Sequence, residues 1–203
     1  MRSFLVRKFG IPALAGVLML LTAVPVAAQV PVKPVLVMYR EKSNSPDLFA
    51  VAEWAVMAAR MDQEGIAYKV TSLLGKTLGT EAHPIPVDLR VSAVVVSDYS
   101  ALLIPCYGSG DYAMSPVLLK LVADCHAQGL LVGAEHSAEA LYQVGFSDGY
   151  NMAFQPGVVV DKDLVTAYNC PLTARSNGKP VDTDSFMTAF LTVLRTRAEA
   201  PAL

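Results

Sequence analysis

Apolar and polar residues run along this chain in two rhythms, and the change from one to the other predicts its elements. Short continuous apolar runs at 35–38, 101–104 and 130–134 have the character of strands buried on both faces of a parallel sheet. Further strand candidates lie at 67–72 and 94–96. Between them stand helical signals. Ser45-Pro46-Asp47 supplies a cap, a first-turn proline and an acidic residue, predicting a helix to about Glu64 that Gly65 terminates. Ser115-Pro116 opens a second helix, closed by Gly129, and a third follows a sharp turn at Glu135 and ends at Gly145. Residues 157–160 and 164–167 flank Lys162-Asp163, which predicts a hairpin. Asp182 is the expected cap of a last helix in which Phe186, Ala189, Phe190, Val193 and Leu194 keep helical spacing. The stretch 73–90, broken by Gly and Pro, predicts no definite element. Strands alternating with helices imply one three-layer α/β domain with a mostly parallel sheet.

Composition narrows the classes. With 203 residues, 53% hydrophobic, 17% charged and net charge -2, the chain can bury a real core and is not of the disordered type. No cluster of Lys or Arg gives an electrostatic footing for nucleic acid. Residues 1–28 have basic positions (Arg2, Arg7, Lys8), an apolar run and Pro25-Val26-Ala27-Ala28, the layout of a secretory signal peptide cut after Ala28. An uncleaved anchor is the competing reading. The expectation is an exported chain, periplasmic or secreted, meeting a membrane only through that segment during export, with residues 29–203 as a single domain. Export places Cys106, Cys125 and Cys170 in an oxidising compartment, and an odd count leaves a free thiol unless two chains pair. The first helix, LFAVAEWAVMAARM, is apolar on more than one face, which points to a homodimer.

The stretch 101–146 carries the chemistry. A strand ends in Ile104-Pro105-Cys106-Tyr107, followed by Gly108-Ser109-Gly110. The next strand ends in Glu135-His136-Ser137, and its helix runs to Val144-Gly145. A late hairpin reads Val159-Val160-Asp161-Lys162-Asp163-Leu164-Val165-Thr166. In order and spacing these pieces resemble the ThiJ/PfpI superfamily of protein deglycases, PfpI-type proteases and related hydrolases and hydratases, over nearly all of residues 29–203. The resemblance implies a flavodoxin-like sandwich, usually dimeric. The family pattern has Ile-Pro-Gly-Gly at the first strand, a Cys-His-Gly elbow at the second and Val-Val-Asp-Gly-Asn-Leu-Val-Thr in the hairpin. Here Glu135 stands where the nucleophilic thiol is expected, and Cys106 and Tyr107 replace the glycine pair. A carboxylate cannot form the thioester or thiohemiacetal of thiol chemistry. Setting the family's Cys-His on Cys125-His126 instead leaves too little chain after Pro105 for a crossover helix.

The family also has a Glu early in its first helix, beside the thiol, and Glu53 falls at that place. Glu53 and Glu135 are therefore expected as neighbours, one keeping its proton. Such a pair is either a general acid and base or a structural link. His136 is a base, or a histidine with no nucleophile to activate. Cys106 is a relocated nucleophile, a redox partner of Cys170, or a small residue tolerated in a loop. Tyr107 and Gly108 should line the pocket. Gly108-Ser109-Gly110 is too short for a phosphate loop; His136 and Glu139, one helical turn apart, could share a metal, but with only His83 and His126 elsewhere and no ligand-like spacing, neither cofactor nor metal is expected. The expected function is a non-classical, catalytically inactive member that binds a small ligand or partner. The alternative is a hydrolase or lyase on a small electrophile, using Glu135 with His136, or Cys106.

Overall fold

The computed structural model describes residues 33–107, 115–137, 141–146 and 148–200. The expected signal segment, Gly108, Ser109, Gly110 and Glu139 lie outside the described residues. The chain enters through β1 (Val35–Met38) and a helical stretch in three parts: α1 (Pro46–Phe49), a π turn (Ala50–Trp54) and α2 (Ala55–Gln63). Next come β2 (Tyr68–Ser72), the short β3 (Leu78–Gly79), β4 (Pro84–Ile85) and β5 (Leu89–Arg90), then β6 (Ala101–Ile104). The second half holds α3 (Pro116–Ala127), β7 (Leu131–Glu135), β8 (Val158–Asp161), β9 (Leu164–Ala167), α4 (Pro171–Asn177) and α5 (Thr183–Glu199).

Seven strands form one sheet in the order β5-β2-β1-β6-β7-β9-β8, and β3 and β4 pair separately. All neighbours in the large sheet are parallel except β8, which returns antiparallel on β9. Parallel neighbours require crossovers, and α1–α2 and α3 supply two of them on opposite faces. Period-2 alternation sorts the strand residues between those faces. Leu36, Met38, Leu102, Ile104, Val132 and Ala134 pack with α3 on one side. Val35, Val37, Ala101, Leu103, Leu131 and Val165 pack with α2 and α5 on the other.

The strand at 94–96 does not form. That segment is two 3-10 turns, Val91–Ala93 and Val96–Asp98, joined through Val94 and Val95, with Val95 exposed. Its valines carry β propensity, but among the described residues they pair with no strand of the sheet. The unassigned stretch 73–90 contains the small β3–β4 hairpin and the edge strand β5. Helix α4 was not expected from the pattern; Pro171 starts it and Gly178 ends it in a left-handed conformation. Asp182 precedes α5 but gives it no side-chain cap. Its carboxylate accepts instead from the amides of Gly157 and Asn169, at 2.8 and 3.0 Å, and so anchors the hairpin to the last helix.

Gly133, in the middle of β7, is the tightest point of this packing. A Cβ there would stand 2.6 and 2.8 Å from two ring carbons of Phe190, itself fully buried in α5. Gly133→Ala should therefore destabilise the protein by about 1–3 kcal/mol through overpacking. In thermal unfolding this is a fall of roughly 2–4 °C per kcal/mol for a domain of this size. Phe190→Leu in the same chain should recover part of the loss, and an unchanged Tm for Gly133→Ala would contradict the close packing.

Candidate functional site

Strand order reverses between β1 and β6, since β2 and β5 lie to one side and β7, β9 and β8 to the other. In open α/β sheets the crevice outside the carboxyl ends of strands at such a point is where ligands bind. Here that edge gathers Tyr39 and Arg40 after β1, Cys106 and Tyr107 after β6, the Glu135-His136-Ser137 turn on β7, and Cys170 after β9. Glu53 reaches it from the π turn, a local widening of the helix that often marks such sites.

Glu135 does not stand at the tip of the turn. It is the last residue of β7, opposite Ala167 of β9, and the His136 amide continues the ladder by donating to the Ala167 carbonyl at 2.8 Å. The chain reverses one residue later, at His136, whose φ is 46°. Strand alternation decides where the Glu135 side chain goes: with Leu131 and Gly133 it faces α2 and α5. There it is fully buried, and Thr183 Oγ1 donates to its Oε1 at 2.6 Å. Glu53, also fully buried, is the neighbour expected from the sequence; among the described residues the Oε2 atoms of both have no other partner, and a proton shared between the two carboxyl groups would satisfy them. Burial raises the pKa of both. The negative charge of Glu53 raises Glu135 further, so Glu135 is the one that keeps its proton and donates it.

The two amides after β6 are already occupied. Cys106 N–H donates to Glu53 Oε1 at 2.8 Å, and Tyr107 N–H donates to Ser137 Oγ at 3.0 Å. Ser137 Oγ in turn donates to the Glu135 carbonyl at 2.9 Å. The Tyr107 side chain turns into the core, and its hydroxyl donates to the Tyr39 carbonyl at 3.2 Å. An oxyanion needs free donors aimed at it, and these two are satisfied from within the chain.

On the rim, Cys106 and Cys170 pack with Phe49 in a small cluster of their own. The Cys106 thiol hydrogen-bonds to Cys170, and Thr173 Oγ1 lies 3.4 Å from the Cys170 sulfur. Thr173 also stands 3.3 Å from Nδ1 of His136, the nitrogen that sits 2.7 Å from the Tyr168 carbonyl. Cys125, by contrast, is fully buried in α3 and far from the edge in the fold, as expected of a small hydrophobe.

Arg40 was missed in the sequence, although its place directly after β1 at the reversal of strand order is a usable signal. Its guanidinium stacks on the Phe49 ring, 3.6 Å from the centroid, and Nη1 lies 4.0 Å from the Cys106 sulfur. Only 8% of the residue is exposed, yet among the described residues Nε and Nη2 have no partner. Beside it opens a cleft of about 400 Å³ lined by Tyr39, Lys42, Ser43, Phe49 and Ile85 among others.

The shared proton has a consequence for pH. Because the folded-state pKa of Glu135 is raised above its ordinary 4.5, the folded protein holds a proton that the unfolded chain has lost. Its contribution is complete below pH 4.5 and disappears as pH rises through the folded value. Unfolding free energy should therefore decline from pH 4.5 up to the folded value, by at most about 1.4 kcal/mol per pH unit for one proton, and level off above it. Glu135→Gln keeps both the acceptor for Thr183 and a donor for Glu53. Urea titrations across pH 5–9 should show a flatter profile for this variant and greater stability than the native protein at the alkaline end, by about 1–3 kcal/mol. Parallel profiles would mean that no proton is shared.

No family model and no curated protein matches the sequence. Solved structures do. A ThiJ/PfpI domain protein from Brachyspira murdochii superposes with a TM-score of 0.61 at 15% identity, covering 82% of this chain and 99% of that one. Drosophila melanogaster DJ-1beta gives 0.57 at 18%, covering 83% and 92%. A ThiJ/PfpI family protein from Pseudomonas syringae gives 0.58 at 16%, covering 94% and 78%. At such identities the likeness is one of backbone architecture, and it agrees with the strand order and crossovers described above: the chain has the ThiJ/PfpI fold.

Proposed function

We propose that this protein is an exported binding protein on the ThiJ/PfpI fold, without the hydrolytic or aldehyde chemistry of a thiol elbow, and that it holds a small anionic ligand against Arg40. The single observation that carries the reading is the pairing of the Cys106 and Tyr107 amides with Glu53 and Ser137. With those donors taken, a tetrahedral oxyanion has no ready cradle, and stripping a carboxylate from Cys106 N–H would leave a buried charge unpaired. Glu53 and Glu135, both fully buried, hold segments together and do not meet a substrate. This disfavours the hydrolase or lyase alternative in its Glu135–His136 form.

What the rim offers is a positive charge with unused donors. Nε and Nη2 of Arg40 form two adjacent N–H groups of the kind that grips a carboxylate or phosphate in a fork. Stacking on Phe49 holds the guanidinium plane in place; Lys42 on the same cleft adds positive charge, offset by Glu41, which also lines it and accepts from the Leu74 amide. An exported chain of this kind is expected to act as a homodimer. Val51, half exposed on the outer face of the π turn, is in keeping with that expectation.

The test uses inorganic phosphate and succinate as probes. Each should raise the Tm of the native protein in a concentration-dependent way, as a ligand of the folded state must. Arg40→Gln should lose that rise, and Lys42→Gln should weaken it several-fold. Methylglyoxal, p-nitrophenyl acetate and small amides should show no turnover above buffer. Turnover that disappears in Glu135→Gln would overturn the reading, as would an anion response that Arg40→Gln leaves intact.

A further inference from the structure

We propose that Cys106 and Cys170 form a two-electron thiol–disulfide couple oxidised by hydrogen peroxide, in which Cys170 attacks and Cys106 resolves. The couple stands apart from the anion reading and rests on different atoms.

Topology brings the two thiols together. Cys106 leaves β6 and Cys170 leaves β9, the strands on either side of β7, so both sulfurs arrive at one sheet edge above the end of β7. They pack in one buried cluster with Phe49. Their surroundings are unequal. Cys170 receives hydrogen bonds, from the Cys106 thiol and from the hydroxyl and amide of Thr173, with His136 nearby, and these hold its pKa at about 5 despite burial. Cys106 gives the hydrogen bond, and that bond, together with burial and the charge of Glu53, holds its proton on. Glu53 and Glu135 also face this pair, both acting against a second negative charge, while Arg40 lies against the Cys106 sulfur. One thiolate beside one thiol is the division of labour that a two-step oxidation requires.

Access selects the oxidant. Cys106 and Cys170 are 2% and 1% exposed, so an incoming disulfide, which must align its S–S bond with the attacking sulfur while carrying two substituents, does not fit. Hydrogen peroxide is two oxygen atoms and needs only side-chain motion to enter. In the first step the Cys170 thiolate attacks one peroxide oxygen. An S–O bond forms and the O–O bond breaks. The departing hydroxide takes up the proton that Cys170 released on ionising and becomes water. In the second step the Cys106 sulfur attacks the sulfenic sulfur of Cys170. The S–S bond forms, the S–O bond breaks, and the leaving hydroxide takes the Cys106 proton as a second water. Two thiols are oxidised and one peroxide is reduced to two waters.

The experiment uses the whole protein, reduced and then treated with one equivalent of hydrogen peroxide, alkylated under denaturing conditions and mapped by peptide mass. The expected product is a Cys106–Cys170 linked peptide two hydrogens lighter than the sum of its parts, reversed by dithiothreitol, with Cys125 still alkylated. The rate should change less than twofold between pH 6 and 8, whereas an ordinary thiol of pKa ~8.5 gains about tenfold per pH unit over most of that range. Cys106→Ser should stop at a Cys170 sulfenic acid, trapped by dimedone added together with the denaturant, and Cys170→Ser should leave Cys106 reduced. Recovery of both thiols from the native protein after excess peroxide would overturn the proposal without recourse to any variant. So would oxidation of Cys106 in Cys170→Ser at the native rate.

Discussion

One proton held between two buried carboxyl groups organises the carboxyl edge of this molecule. Glu53 comes from the first helical stretch and Glu135 from the central strand β7. Through them the Cys106 amide after β6 and the Thr183 hydroxyl at the start of α5 are bound to the same point. Four segments distant in sequence thus converge on two side chains. Had both carboxyls been ionised, their desolvation and mutual repulsion would drive the segments apart. With one proton retained, each oxygen that faces a donor is satisfied and a single negative charge remains, with Arg40 as the nearest compensating cation.

The same link limits the chemistry. Glu53 occupies the amide that a reacting oxyanion would need, and Ser137 occupies the next one. Both donors are thus paired within the chain. Groups free to act are those displaced to the rim: an arginine with two unused N–H directions and a pair of thiols of opposite protonation. They sit within contact of each other through Phe49, so the two proposed sites share one small region.

Much of this was legible beforehand because it depends on local sequence. The apolar runs at 35–38 and 101–104 became β1 and β6 without change of boundary. Gly65 and Gly129 ended their helices in the left-handed conformation, and Lys162 took the positive φ of the hairpin turn. The meeting of Glu53 and Glu135 followed from family-like spacing. Other features were hidden for definite reasons. The valines of 94–96 have strand propensity but pair with no described strand, and two 3-10 turns take their place. Asp182 has the residue type of a cap, yet two amides from the hairpin and its following loop outbid its own helix. Glu135 looked like the tip of a turn because the sequence does not say how far β7 pairs with β9; one further rung moved the reversal to His136.

By itself, then, the order of residues determined the elements, their sequence along the chain and the α/β class, since hydrophobic period, caps and turn residues act over a few positions at a time. Tertiary structure alone decided what the polar groups at the edge do. A carboxyl becomes a strut between segments, an arginine a buried fork with unused donors, and a cysteine a thiolate only through neighbours brought from strands and helices far away in the chain. Burial and hydrogen bonding, which set charge and reactivity, are properties of that assembled neighbourhood.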